Sequence, residues 1–298
     1  MTKRHCKGAY VRIELPDERE ELVSNFFELL REASEYAILR AHSIWKMSTK
    51  SSTGRTIYIE ISDETFREDQ ERFREIAENN MGLFHLLMAM FFTKIHQEMK
   101  PRASVHKTRS RNSYLIAGMA QREFAHTCLF LKESDAAKIP DICTTAFGIS
   151  GETWRTAFAG GRSVARVIHA FKYLGAETFF PIAYIDIQGR IDLLVRFPAK
   201  GLGLCIQIKT ANSLKSVQYR FVPEVPFHQK EELTRDDQYF LIGITEFRNQ
   251  NTGTWLPLEI QIGNMAYTEK YIDPPDSIKQ GFEQMFQVLC FIHDPQSS

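Results

Sequence analysis

The stretch GRIDLLVRFPAKGLGLCIQIKT, Gly189 to Thr210, decides how this chain reads. Two apolar segments flank a short Pro/Gly-containing link, the pattern of two adjacent strands. Each carries polar residues where a purely structural strand favours apolar ones: Asp192 in the first, Gln207 and Lys209 in the second. Gln207 and Lys209 are two apart, so their side chains leave one face together with Cys205, while Ile206 and Ile208 point the other way. If the strands pair through the Pro-Ala-Lys-Gly link, Asp192 meets Gln207 and Lys209 near one end of a sheet. An unpaired carboxylate or ammonium there is costly. The arrangement calls for a partner, and a divalent cation supplies one.

An Asp carboxylate, a Gln carbonyl oxygen and nearby backbone carbonyls are hard oxygen ligands suited to Mg²⁺ with several waters retained. A lysine beside such a cation can orient or help deprotonate a bound water and offset charge developing on a phosphate. These are the parts of metal-assisted phosphodiester hydrolysis.

The elements around the stretch set its context. GGRSVARVIHAFKYLGA places Val164, Ile168 and Phe171 on one helical face, with Gly175 where a C-terminal cap is expected. ETFFPIAYI, GRIDLLVRF and GLGLCIQIKT read as three consecutive strands, with a turn at Gln188-Gly189. A polar segment with a possible helix follows (residues 212–237), and QYFLIGIT, a continuous apolar run, reads as a central buried strand. FRNQNTGTWLPLEIQIG reads as a hairpin turning at Asn251-Thr252-Gly253, and SIKQGFEQMFQVLCFI as an amphipathic closing helix.

With RID and QIK embedded in that succession, residues 160–245 resemble the core of the PD-(D/E)XK nuclease superfamily, and the Gln of the third motif is similar to that of Mrr-like restriction endonucleases. The resemblance implies an α/β fold with a restriction endonuclease-like αβββαβ core on a central mixed sheet. It implies Asp192 as a metal ligand, Gln207 as a metal-site ligand or its remnant, Lys209 as the catalytic lysine, Mg²⁺ or Mn²⁺ as cofactor, and nucleic acid, DNA above all, as partner. Gln229 and Lys230 would lie on the following helix and add to the site. Many members carry a Glu on the first helix; this helix has none, and Glu152, Glu177 or Asp186 would substitute from elsewhere.

The first half reads mainly helical. Acids in DEREE after Pro16-Asp17 suit a helix N-terminus, and Leu22, Phe26, Leu29, Ala33 and Ala37 recur at helical spacing. RTIYIEI alternates as a strand does, SDETFREDQERFREIAENN restarts a helix, and MGLFHLLMAMFF is a buried helix too short to span a bilayer and interrupted by His85. SYLIAGMA and HTCLFLKES read as short strands. KPRASVHKTRSR has five Lys/Arg and no acid. It is a solvated linker or a phosphate-contacting arm through Lys100, Arg102, Lys107, Arg109 and Arg111; Arg162 and Arg166, a turn apart, would join it only if their helix lies beside the site.

Lys+Arg and Asp+Glu balance at 37 each, so no global charge draws the chain to nucleic acid or an anionic membrane, and any such binding rests on a local patch. Five scattered cysteines without a C-x-x-C pair argue against a disulfide framework and a structural zinc site. With no apolar signal segment at the N-terminus, a cytoplasmic protein without a membrane partner is expected. Two parts follow: residues 1–110, helical, serving recognition, regulation or oligomerisation (a homodimer included), and residues 111–298, a nuclease-like domain. Two other readings use the same residues: a catalytically degenerate module that binds nucleic acid without cleaving it, and an interaction scaffold.

Overall fold

The computed structural model describes residues 10–263 except 51, 55, 60, 104–106, 147–150, 183–189, 212–216 and 224–232, together with 280, 281, 283, 284 and 287. The closing helix expected over residues 277–292 lies largely outside them. The fold is mixed α/β, and the chain divides into a helical unit, Leu15–Arg162, and a sheet unit made of Met1–Glu14 and Ser163–Ser298. Residue 110, the boundary expected from the basic stretch, falls inside a continuous helix, and the N-terminal strand belongs to the sheet unit.

In chain order, β1 (Tyr10–Arg12) is followed by α1 (Phe26–Lys46), a small antiparallel pair β2 (Ser48–Lys50) and β3 (Thr56–Tyr58), and a 3₁₀ turn Asp63–Phe66 leading into α2 (Arg67–Ile76). Then come α3 (Met81–Ala103), α4 (Lys107–Phe130), the single-turn α5 (Glu133–Ala136), α6 (Ile139–Ala146) and α7 (Gly151–Tyr173). Residues of α7 from Ser163 onward belong to the sheet unit.

The helical unit is built around α3. Leu83, Phe84 and Leu86 to Phe92 are all buried, because α1, α2 and α4 pack on it from several sides. Phe66, Phe73, Phe91 and Phe92 meet edge to face or tilted at 4.9–6.1 Å between ring centroids. The buried stripe of α1 includes the expected Ala33 and Ala37 with Leu30, Ala41 and Ile44; Leu22 precedes the helix, and Phe26 and Leu29 are half-buried. DEREE precedes α1 instead of opening it. One of its acids still serves a helix N-terminus: Glu20 accepts from the Gly82 N–H at the start of α3 (2.6 Å). SYLIAGMA and the first five residues of HTCLFLKES, read as strands, are in α4, whose apolar residues face α3 and hide their helical period in a nearly continuous run; the rest of HTCLFLKES leads into α5.

Close helix contact in this unit depends on Gly161. A Cβ there would stand 2.7 Å from the Gln121 carbonyl oxygen and 2.8 Å from the Ala125 backbone nitrogen, whereas the nearest atoms to one at Gly160 belong to the flexible Gln121 side chain. Backbone atoms cannot step aside. Gly161→Ala is expected to destabilise by about 1–3 kcal/mol despite the better helix propensity of alanine, and Gly160→Ala by less; urea denaturation of both variants measures the difference.

The sheet unit continues with β4 (Glu177–Pro181), β5 (Leu193–Phe197), β6 (Leu202–Ala211), β7 (Gln218–Phe221), α8 (Arg235–Arg248) and β8 (Thr254–Gly263). Among the described residues its mixed sheet has six strands in the order β1-β4-β5-β6-β8-β7. β4, β5 and β6 form an antiparallel meander with Phe179 opposite Leu194 and Leu194 opposite Cys205. β8 returns parallel to β6 through α8, with Gln207 beside Glu259. α7 ends in a Schellman cap: Gly175 has φ +75°, its N–H reaches the Lys172 carbonyl, and the Ala176 N–H reaches that of Phe171.

Two helices cover the two faces. Phe171 of α7 meets Phe197, and Ser163 bonds Thr210 (2.9 Å), so α7 lies on the face of Leu193, Val195, Ile206 and Ile208. α8 buries Phe240, Leu241, Ile244 and Phe247 against Phe179, Leu194, Cys205 and Trp255 on the other face. QYFLIGIT, expected as a central strand, lies in α8, and its burial recurs at helical spacing. Thr234 caps it, accepting from the Asp237 N–H (3.2 Å), and Asp236 and Asp237 suit its first turn. TWLPLEIQIG is one strand, not half of a hairpin: the residues before the expected turn end α8, and the strand pairs with β6 on one side and β7 on the other.

Candidate active site

Asp192, Gln207 and Lys209 converge where β5 ends and β6 continues. β5 stops pairing at Leu193, which leaves the Ile208 N–H without a strand carbonyl. The Asp192 carboxylate takes that place: its Oδ2 accepts from Ile208 N–H at 2.6 Å, and its own N–H donates to the Ile206 carbonyl at 2.8 Å. Asp192 thus brackets Gln207 from the neighbouring strand. Arg190, at φ +52°, makes the bend that brings it there.

Burial pushes the Asp192 carboxyl up to about 7, against the opposing pull of the Ile208 hydrogen bond and the charges of Arg190 and Lys209. At neutral pH the carboxyl is poised between its acid and carboxylate forms. Gln207 is 5% exposed, and its Oε1 is buried with no hydrogen-bond partner among the described residues. A buried acceptor left without a donor costs on the order of 1–3 kcal/mol. The same atom is a good ligand for a hard cation.

Lys209 lies on the α8 face and is 2.8 Å from Glu259 Oε2 and 3.9 Å from Asp236 Oδ2. Glu259 is 1% exposed and also accepts from Arg220 and Gln261. Burial alone would raise its pKa; the hydrogen bonds from Arg220, Lys209 and Gln261 outweigh it and hold the carboxyl at about 2. Arg220 in turn grips Asp237, at 2.6 and 3.3 Å. The arrangement is therefore an acceptor pair, Asp192 and Gln207, flanked by an ordered ammonium.

The donor set fits Mg²⁺ or Mn²⁺ in chemistry: an oxygen of Asp192, the orphaned oxygen of Gln207, and water or backbone carbonyl for the rest. Among the described residues no group of three His, Cys, Asp or Glu side chains forms a cage. Any cation here would keep several waters.

The other expected site residues fare differently. Glu177 pairs in register with Arg196, about 13 Å along the strand from Asp192 at the usual rise, and its carboxylate meets Arg12 at 3.3 Å. It does not join the cluster. Glu152 lies in the first turn of α7, within the helical unit, and its side chain is outside the described residues, as are Asp186, Gln229 and Lys230 altogether. Arg166, expected on a solvated helix face, is 2% exposed, because residues 163–168 of α7 are buried all round; it presents no surface to phosphate. Arg162 is partly buried. The basic stretch is helical on both sides of residues 104–106, not a linker: Lys100 and Arg102 end α3, Lys107, Arg109 and Arg111 open α4, and Arg111 is partly buried.

Sequence reasoning missed Glu259, Arg220 and Asp237. Glu259 is the one charged residue in TWLPLEIQIG, a signal of the same kind that exposed Asp192, but its neighbour Gln207 is reached only through the parallel pairing. Among the described residues no helix is long and apolar enough to cross a membrane. No protein-family model, curated protein or solved structure matches the chain, so the reading of the site rests on its own residues.

Proposed function

We propose that the sheet unit is a metal-dependent nuclease of restriction endonuclease-like type, hydrolysing phosphodiester bonds, most naturally in DNA. The observation that carries this reading is the convergence of Asp192, orphaned Gln207 Oε1 and Lys209 beside the end of β5. The order α7, β4, β5, β6, α8, β8, with β8 parallel to β6, supports it as the αβββαβ succession expected of the PD-(D/E)XK core, with β1 and β7 added at the edges.

A divalent cation bound at Asp192 and Gln207 would supply Lewis-acid polarisation of a phosphate oxygen and a bound water of lowered pKa. The chain supplies the rest. Asp192 would hold such a cation through its carboxylate, the ionised form that metal binding requires. Gln207 contributes a neutral oxygen, so the protein donors carry a single negative charge and leave the site receptive to an anionic phosphodiester. Lys209, held by Glu259, presents a cation that stabilises charge growing on the phosphate oxygens.

Supercoiled plasmid, single-stranded DNA and RNA incubated with the protein and Mg²⁺ or Mn²⁺ test the proposal. Cleavage of one polymer, abolished by EDTA and by Asp192→Ala in a folded protein, is the expected result. Binding of a polymer that persists in EDTA and in Asp192→Ala, without cleavage, would instead establish a non-catalytic nucleic-acid module.

A further inference from the structure

We infer that Glu259 is a positioning residue which, clamped by Arg220, fixes the Lys209 ammonium at the Asp192 and Gln207 end of the sheet. Its value to catalysis rests on the nuclease reading above; the positioning itself rests on geometry. Four donors saturate the Glu259 carboxylate. Oε1 accepts from Arg220 Nε (3.1 Å) and Gln261 Nε2 (2.9 Å), and Oε2 from Arg220 Nη2 (2.9 Å) and Lys209 Nζ (2.8 Å). A carboxylate so occupied has no free lone pair for a cation, so Glu259 does not replace the acid missing from α7. Its work is directed at Lys209.

The clamp has a fixed origin. Thr234 caps α8 through the Asp237 N–H; Asp237 holds both terminal nitrogens of Arg220 on β7; Arg220 sits opposite Glu259 on β8; Glu259 reaches across to Lys209 on β6. Four elements thus converge on one ammonium. Lys209 is otherwise a flexible side chain, 35% exposed, whose rotamer freedom would scatter its charge. Glu259, at 1% exposure, cannot move to follow it. The pair therefore orders the lysine and not the reverse.

Two measurements on the full chain test this. Trace acetylation with acetic anhydride, read at Lys209 by peptide mass spectrometry, reports the ammonium directly and needs no activity. Glu259→Gln keeps the side-chain shape and removes the charge. It is expected to raise Lys209 acetylation several-fold while distant lysines stay constant, and Arg220→Lys, which retains a cation but loses the fork, to raise it less. In cleavage, Glu259→Gln is expected to lower kcat by about 10–100-fold, the usual effect of removing a group that orients a catalytic one, with KM and Mn²⁺ affinity unchanged. In a Lys209→Met background the same substitution is expected to change nothing further. Unaltered Lys209 acetylation in a folded Glu259→Gln protein overturns the inference, as does an equal loss of kcat in the Lys209→Met background. Raised acetylation in a protein whose wild type cleaves no polymer would support the positioning and overturn the nuclease reading alone.

Discussion

Lys209→Ala is expected to lower single-turnover cleavage by about 10²–10³-fold, the scale observed when one preorganised electrostatic group is removed from a developing oxyanion, while leaving the protein folded. Glu259 keeps both Arg220 contacts and the Gln261 donor, so its buried carboxylate remains compensated when the lysine goes. The loss in stability should be about 1 kcal/mol, one hydrogen bond to a charged group that keeps its other partners. Polymer binding and Mn²⁺ binding should be retained, because neither Asp192 nor Gln207 depends on Lys209 for its position. Lys209→Arg keeps the charge but replaces a compact ammonium with a planar fork that does not fit the single Glu259 oxygen it would meet, and is expected to rescue only a small part of the rate. Wild-type cleavage by Lys209→Ala would remove the lysine, and with it the assignment of the site, from the mechanism.

How far the site was legible follows from where its parts sit in the chain. Asp192, Gln207 and Lys209 lie within one antiparallel pair, so strand alternation and a short link sufficed to bring them together. Glu259 lies some fifty residues on, and only the α8 crossover, which makes β8 parallel to β6, places it beside Gln207. That crossover was hidden because QYFLIGIT is a continuous apolar run, equally suited to a buried strand or a helix packed on a sheet; the helical signals were the cap at Thr234 and the acids after it. SYLIAGMA in α4 was obscured in the same way. Gly175, by contrast, was readable because a helix terminus there requires a left-handed residue, and the sequence puts glycine at that place. Arg166 marks the limit of residue-by-residue reading: its type says solvent or phosphate, and only the packing of α7 shows that no solvated side remains.

Asp192→Asn is expected to stabilise the protein at pH 8 by roughly 2–4 kcal/mol in the absence of divalent cations, and to make no difference near pH 4. The sign follows from the raised pKa. The carboxyl titrates at about 7 in the folded chain against an ordinary aspartate value of 3.8, so between these pH values the folded form retains a proton that the unfolded form has released. Stability therefore declines as pH rises through that window, and the penalty is complete above pH 7. Asparagine removes the ionisation and with it the penalty, and its carbonyl can still accept from Ile208 N–H. Thermal melts of both proteins from pH 4 to pH 8 measure the effect. Mn²⁺ at pH 8 should raise the wild-type melting temperature, less so at pH 5, because binding requires the carboxylate; the variant should show no such response. A variant less stable than wild type at pH 8 would mean that Asp192 is ionised and paired in the native state, and that the cation reading is wrong. A more stable and metal-indifferent variant would mean that the chain sacrifices native stability to keep a carboxylate beside an orphaned amide oxygen, a cost with no structural return, since asparagine satisfies the Ile208 N–H equally well.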